Sequence, residues 1–485
     1  MTASSSSSSA LVVPTAKLLD VAFYRRTVRT RFPFRFGKAS MTEMPLVYVR
    51  AQWESGEGVR FEGVSASGIP PLWFDKRDGI TAVDNERDLM LSLRTAAAAY
   101  KAGGLDTAWN HHKAVTEPVR TALVNTQGQA PLAAGFGPAL LEAALVDGLC
   151  RLLETPFAQA LRENRFGLPS DILEALPAAP LDFVAFRHTV GLADPLTGAD
   201  VSAPLRDGLP ETLEEVVATY RPRYFKVKIS GNRDETLARL RGIAAVVSQG
   251  GDYAVTLDGN EQFGDMESFA DFLDLLQAEA GQTGAEDLSD FLRRILWIEQ
   301  PVRRDAALVP DSAAALARIS AFRPVILDES DGEADALERG LALGYGGVSS
   351  KTCKGLFRSL SHLARLARAK RETGREYLFS CEDLTTVPVH PLQQDLCLAA
   401  SLGLTHAERN GHHYIRPAGF LTAAECAAVQ AECPSMYDTD PVNGLHVRIA
   451  PDVNGAGGFD LREVNRAKGL GTSLVPEWDA LEKLG

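Results

Sequence analysis

What this 485-residue chain has little of narrows it first. Basic residues are outnumbered, 50 Lys and Arg against 63 Asp and Glu, for a net charge of -13. Most of such a surface repels nucleic acid or an anionic membrane, so neither is expected as a partner, although the balance leaves room for a local basic site. No apolar run approaches the ~20 residues of a membrane span. The N-terminal MTASSSSSSALVVPTAKLLD carries no basic residue ahead of its brief apolar stretch, which makes it a poor secretory signal. Six cysteines occur, Cys150, Cys353, Cys381, Cys397, Cys426 and Cys433, without paired metal-ligand spacing. In a long chain without an export signal they read as reduced thiols, most of them buried. The expectation is a cytoplasmic protein.

The length exceeds one ordinary core and suggests two to three domains, or a barrel with a companion. Residues 1–18 are serine-rich and read as a disordered tail. Residues 19–180 read as an α+β region. Within it, residues 45–66 alternate about a Ser-Gly-Glu-Gly turn as an antiparallel hairpin. Residues 138–164 repeat Leu and Ala at helical spacing, with a second helix starting at Pro156. From 181 to 415 strand-like runs alternate with helical stretches: LDFVAFRHTV, YFKVKIS, YAVTLDGN, ILWIEQP, PVILDES, YGGVSS, EYLFSCED and LGLTHAE. Alternation of this kind predicts a parallel sheet, and eight strands predict closure into an α/β (β/α)8-type TIM barrel. Residues 416–485, with a short strand at 445–450, resemble the first region again and are expected to return to it.

Three of these runs end on a carboxylate: Asp258, Glu299 and Asp328. Any one alone reads as a cap for the following helix. Together, at spacings near the ~31 residues of a βα repeat, they read as an oxygen-ligand site for Mg2+ at the C-terminal mouth of a barrel. The one long gap, between Asp258 and Glu299, contains the polar residues 277–290 and reads as an insertion. Lysines flank the set, Lys226 and Lys228 before it and Lys351 and Lys354 after it. Lys226 and Lys228 share one strand face, either on a solvated edge or turned inward for use.

The order Lys-x-Lys at 226–228, Asp-x-Asn at 258–260, Glu-Gln-Pro at 299–301, Asp-Glu-Ser at 328–330 and Lys-x-x-Lys at 351–354 resembles the enolase superfamily. The likeness is to its mandelate racemase/muconate lactonizing enzyme family, in the muconate-lactonizing and dipeptide-epimerase branch with a Lys/Lys acid-base pair. The resemblance implies a (β/α)7β barrel closed by an α+β capping domain built from both chain ends. It implies that Asp258, Glu299 and Asp328 bind Mg2+ and that Lys228 and Lys351 are acid-base groups on opposite faces of a small carboxylate substrate. Lys226, Asn260, Lys354 and Glu382 are then candidates for substrate binding, Glu382 equally for a structural role. The reaction implied is α-proton abstraction through an enediolate, either by a two-base racemase or epimerase or by a lyase or cycloisomerase. A barrel kept as a scaffold is the reading from another class, and it gains nothing here because no ligand is lost. Members are commonly homo-oligomers.

Smaller features complete the picture. The seventh strand, YLFSCED, lacks the histidine base of another superfamily branch, which favours the lysine pair. His406 and Glu408 stand where dipeptide epimerases carry Asp-x-Asp, and this departure speaks against dipeptides. Phe34, Arg35, Phe36 and Gly37 resemble the cap loop that closes over the mouth. The pairs His111-His112 and His412-His413 have no ligand spacing and read as surface or loop residues.

Overall fold

The computed structural model describes residues 12–36, 39–280, 288–382, 387–409, 415–416 and 419–485. Three long strands, β1 (Ala16–Phe36), β2 (Ala39–Ser55) and β3 (Arg60–Gly68), form an antiparallel meander at the N-terminus. The β2–β3 turn is held by the Ser55 hydroxyl, which accepts from the backbone N–H groups of Glu57 and Val59 at 3.3 and 3.2 Å. β1 corrects the reading of residues 1–18 as a tail, because the strand begins at Ala16, whose N–H donates to the Asp106 carbonyl at 2.8 Å. Phe34 likewise lies in a strand, opposite Met41, and not in a loop. Gly37 is outside the described residues, as are 281–287 of the expected insertion; the helix Met266–Ala280 runs up to them.

Helices pack on one face of this sheet. Ala82–Ala102 opens with a capping box in which Thr81 and Asp84 satisfy each other's backbone N–H groups. Phe136–Leu152 is almost wholly buried, and it approaches β3 so closely that a Cβ on Gly63 would collide with the Ala144 carbonyl. The stretch Pro131–Leu152 is long and apolar enough to cross a membrane, contrary to the sequence reading of apolar runs, but 94% of its apolar window is buried inside the fold. Pro156 is the N-cap of the next helix, Phe157–Arg162. The pair His111-His112 is not on the surface. On the helix Ala108–Gln127, His111 is buried with Nε2 2.7 Å from the Ala16 carbonyl, and His112 Nδ1 lies 2.5 Å from Glu142 of the neighbouring helix. His412 and His413 lie outside the described residues.

Eight parallel strands follow: β4 (Phe183–Val190), β5 (Tyr224–Lys228), β6 (Ala254–Asp258), β7 (Ile295–Glu299), β8 (Val325–Leu327), β9 (Gly347–Ser350), β10 (Leu378–Cys381) and β11 (His406–Glu408). Each pairs with the next, and β11 pairs with β4, closing the barrel. The buried Val227, Leu257 and Ile298 stand in register and alternate with inward residues. Branched apolar side chains usually fill such an interior; here Arg187, Lys226, Asp258 and Glu299 are among its buried side chains. The C-terminal segment then forms the hairpin β12 (Tyr437–Asp440) and β13 (Gly444–Val447). Next come β14 (Ala450–Pro451) and β15 (Gly457–Asp460), of which β15 pairs antiparallel with β4, and last β16 (Glu482–Leu484), which pairs with β1. The chain end thus binds barrel and cap alike.

Candidate active site

Strand register decides which side chains meet at the barrel mouth. Lys228, Asp258 and Glu299 are consecutive partners across β5, β6 and β7, so they stand at one level. Asp328 and Lys351 each directly follow a strand end, β8 and β9. Beyond Asp258 the chain turns sharply. Gly259 passes so close to Pro301 that a Cβ there would overlap its Cα, and Asn260, Glu261 and Gln300 adopt left-handed backbone angles of 42°, 66° and 34°. Such strain in non-glycine residues gathers at functional sites.

Two lysines bracket the carboxylates. Lys228 Nζ lies 2.5 Å from Asp258 Oδ2, and Lys351 Nζ lies 3.0 Å from Asp328 Oδ2. β5 and β9 are four strands apart in an eight-strand ring, hence on opposite walls. The Trp73 ring of the cap covers Lys351, with Nζ 4.5 Å from its centroid. Burial, the largest single effect, works against the Lys351 charge, but Asp328 together with Glu408 and Glu299 outweighs it and holds the ammonium above the ordinary lysine range. The same pairing, with Lys354 and Lys226, keeps the buried Asp328 carboxyl well below the usual carboxylate range.

Below this level Lys226 is an internal counter-ion. Its Nζ donates to Glu299 Oε1 at 2.9 Å, Glu382 Oε2 at 2.7 Å and Glu408 Oε2 at 3.0 Å, and stands 3.0 Å from Asp258 Oδ2. Burial works against its charge, and these carboxylates more than restore it. All three ammonium donors are used. Lys354 is equally committed, to the Asp328 carbonyl and Oδ1, both at 2.8 Å, and to Ser349 Oγ at 2.9 Å. Glu382 accepts from Arg187, Ser380 and Lys226. Of the four residues expected to bind substrate, only Asn260 keeps a free group: its Nδ2 donates to Glu329 Oε1 at 3.2 Å, while its Oδ1 has no partner.

Arg187 is the residue that sequence reasoning missed. Fully buried on β4, it donates to His406 Nδ1 at 2.7 Å and Ser380 Oγ at 2.9 Å, and its guanidinium lies 5.0 Å over the Trp297 ring. His406 stacks between Tyr224 and Trp297, at 4.0 and 5.5 Å. Glu408 accepts from Thr189 at 2.6 Å and from Lys226. The two residues on β11 therefore build the barrel interior. Arg187 was visible only as a charge inside LDFVAFRHTV, where strand alternation could have turned it inward.

No protein-family model and no curated protein matches this sequence. Solved structures do. An enolase superfamily member from Roseovarius nubinhibens ISM, complexed with magnesium, is similar at 17% identity over 97% of this chain and 99% of that one, with a TM-score of 0.54. N-succinyl Arg/Lys racemase from Bacillus cereus is similar at 17% identity over 96% of each chain, with a TM-score of 0.55. Muconate lactonizing enzyme from Pseudomonas fluorescens, complexed with muconolactone, is similar at 16% identity over 81% of this chain and 87% of that one, with a TM-score of 0.54. The fold is the one these enolase superfamily structures share.

That fold raises the question of a metal. Among the described residues no three His, Cys, Asp or Glu side chains converge as a ready ligand set; lysine ammoniums bridge the carboxylates. Yet Glu299 Oε2 is buried without a hydrogen-bond donor, and Asp328 Oδ2 meets only the Lys351 ammonium, as an ion pair at 3.0 Å. Burial, followed by the charges of Asp258 and Glu382, pushes the Glu299 carboxyl well above its usual range. Three oxygen donors on neighbouring strand ends, one of them short of compensating charge, fit a hard divalent cation.

Proposed function

We propose that this chain is a Mg2+-dependent enzyme of the enolase superfamily that removes the proton α to a carboxylate, and that it works as a two-base racemase or epimerase. The observation that carries this reading is the bracketing of the carboxylates: Lys228 on Asp258 at one end, Lys351 on Asp328 at the other, from opposite walls. A substrate seated between them presents one face to each lysine, so one can take the proton and the other return it to the far face. Asp258, Glu299 and Asp328 would hold the cation, which supplies stabilisation for negative charge building on the substrate's carboxylate oxygens. The enzymes among the similar structures, a racemase and a muconate lactonizing enzyme, support the reaction type.

The chain's own groups set the remaining terms. Arg187, Lys226, Lys228, Lys351 and Lys354 face Asp258, Glu299, Asp328, Glu382 and Glu408, so the barrel interior is balanced by itself. A divalent cation adds positive charge that an anionic substrate offsets, which favours a carboxylate. We assign Lys226, Lys354 and Glu382 to the frame of the site and Asn260 to substrate contact. Trp73 shields Lys351 from water. Because Asp328, with Glu408 and Glu299, holds Lys351 charged, the charge of these carboxylates has to be shared before the lysine can act as a base.

The test is solvent deuterium exchange at the α-carbon across a library of chiral carboxylates. Mg2+-dependent exchange, abolished by exhaustive chelation, is expected; undiminished exchange after chelation would sink the reading. Lys228→Ala and Lys351→Ala should each stop racemisation while retaining exchange of one enantiomer, with opposite preferences. If one variant exchanges neither enantiomer and the other exchanges the same one as wild type, a lyase or cycloisomerase with a single lysine base replaces it.

A further inference from the structure

Gln300 follows the candidate ligand Glu299 and is 1% exposed, yet the reaction proposed above gives it no task. Its backbone stands in the left-handed region, at a φ of 34°, which residues other than glycine occupy at a cost. A glycine would take that angle freely. What a glycine could not do is reach the neighbouring strand end, and there the Gln300 side chain is fully engaged. Its Oε1 accepts the backbone N–H groups of Asp328 at 3.0 Å and Ser330 at 3.2 Å, and its Nε2 donates to Ser330 Oγ at 2.7 Å and to the Val302 carbonyl at 2.9 Å. Two accepted and two donated bonds are all that a primary amide can make. The orientation is fixed as well, since backbone N–H groups only donate and the Val302 carbonyl only accepts.

The backbone of the same residue reaches both ways. Its N–H donates to the Ile326 carbonyl on β8 at 3.2 Å, and its carbonyl accepts from the Glu261 N–H at 3.0 Å in the turn after β6. That turn is anchored in its own right, because Glu261 pairs with Lys76 of the cap and with Arg304, both at 2.8 Å. One buried residue therefore joins the strand ends that carry Asp258, Glu299 and Asp328. Ser349 and Lys354 hold the Asp328 carboxylate itself, and Gln300 holds the backbone N–H beside it. A short aspartate side chain passes any shift of its backbone on to its carboxylate.

We propose that Gln300 is a positioning residue for the divalent-cation site, setting the spacing of Asp328 against Glu299 and Asp258. This role rests on the metal site proposed above, and Gln300 fills it through Asp328, not by contact with cation or substrate. Gln300→Met keeps the size and charge of the residue while removing all four side-chain bonds, so a loss of cation affinity in it cannot come from altered net charge.

Mn2+ serves as the probe, its free ion counted by electron paramagnetic resonance in titrations of the metal-stripped full-length protein. Wild type should bind, and Gln300→Met should bind about 10–100-fold more weakly. Gln393→Met is the control. Gln393 is equally buried but bonds the Gly471 carbonyl, Cys433 Sγ and the Tyr437 hydroxyl, all in the chain end, so its loss should lower stability to urea and leave Mn2+ affinity unchanged. Action through Asp328 makes the two effects non-additive, so Gln300→Met in an Asp328→Asn background should cost no further affinity. Ser330→Ala removes a single oxygen and one Gln300 bond; it should weaken Mn2+ several-fold, and it decides the matter if Gln300→Met fails to fold. Wild-type affinity in Gln300→Met or, should that variant not fold, in Ser330→Ala would overturn the proposal, as would an equal loss in Gln393→Met or a fully additive loss in the double variant. Those results leave the metal site standing, whereas a wild type that binds no Mn2+ removes both.

Discussion

Lys226 and Lys228, two residues apart on one strand face, differ in what they leave behind when removed. Lys226 neutralises carboxylates from β6, β7 and β11 and from the end of β10, so Lys226→Met strands several buried anions. Breaking a buried pair by deleting one partner costs about 3–5 kcal/mol. Lys228→Met leaves Asp258 still within 3.0 Å of Lys226 and should cost roughly half of that or less. Urea denaturation of the two variants checks this, and equal losses would show that Lys226 is not the internal counter-ion. Activity should fall in both, but only Lys228→Met should leave a well-folded, inactive protein. The carboxylates and lysines of the site were legible in the sequence because each ends an apolar run. Lys226 as a counter-ion was not, since three of its partners, Glu299, Glu382 and Glu408, lie more than 70 residues away. Trp73 and Lys76 were equally silent, lying in a cap segment with no periodicity to mark it.

At the scale of elements, the helix Leu356–Thr373 begins just after Lys351 and Lys354, so whatever fixes its first turn also fixes that segment. Glu142 does so from the cap: buried, it accepts the Phe357 N–H at 2.9 Å and pairs with His112. Glu142→Ala leaves that donor unmet and should destabilise by about 1–3 kcal/mol. Glu142→Gln keeps a carbonyl acceptor and should recover most of the loss. Matched unfolding curves of the two variants decide it; an alanine variant as stable as wild type would dismiss the link. The eight barrel strands could be read from the sequence because each is a short apolar run bounded by charge or glycine. β1 could not, because its arginine-rich second half, RRTVRTRFPF, lacks the apolar density that marks a strand. Its pairing with β2 supplies the order that its own residues do not announce.

Across the whole molecule, cap, barrel and chain end share buried histidines that have to stay neutral. His390 opens the helix His390–Ser401, stands edge-on to Tyr48 of β2 at 5.9 Å and lies 3.1 Å from the Leu474 carbonyl, so it touches barrel, cap and tail at once. Burial, with a smaller push from Arg151, brings its pKa down to about 3. Burial alone does the same to His188, inside β4, also to about 3. Unfolded, each binds a proton near pH 6.5. Between about 6.5 and 3 the unfolded chain therefore holds more protons than the fold, and the contribution of these histidines to stability is complete above that window and lost as pH falls through it. Each such group adds a slope of about 1.4 kcal/mol per pH unit in the middle of the window. Burial also lowers the buried His406 well below the ordinary histidine value and lowers His362, so urea unfolding free energies should drop between pH 6 and 4.5, and His390→Gln should remove one histidine's share of that slope, about 1.4 kcal/mol per pH unit. A stability that stays level down to pH 4.5 would mean that none of these histidines is held neutral by the fold, and that the junction of cap, barrel and tail is looser than its packing indicates.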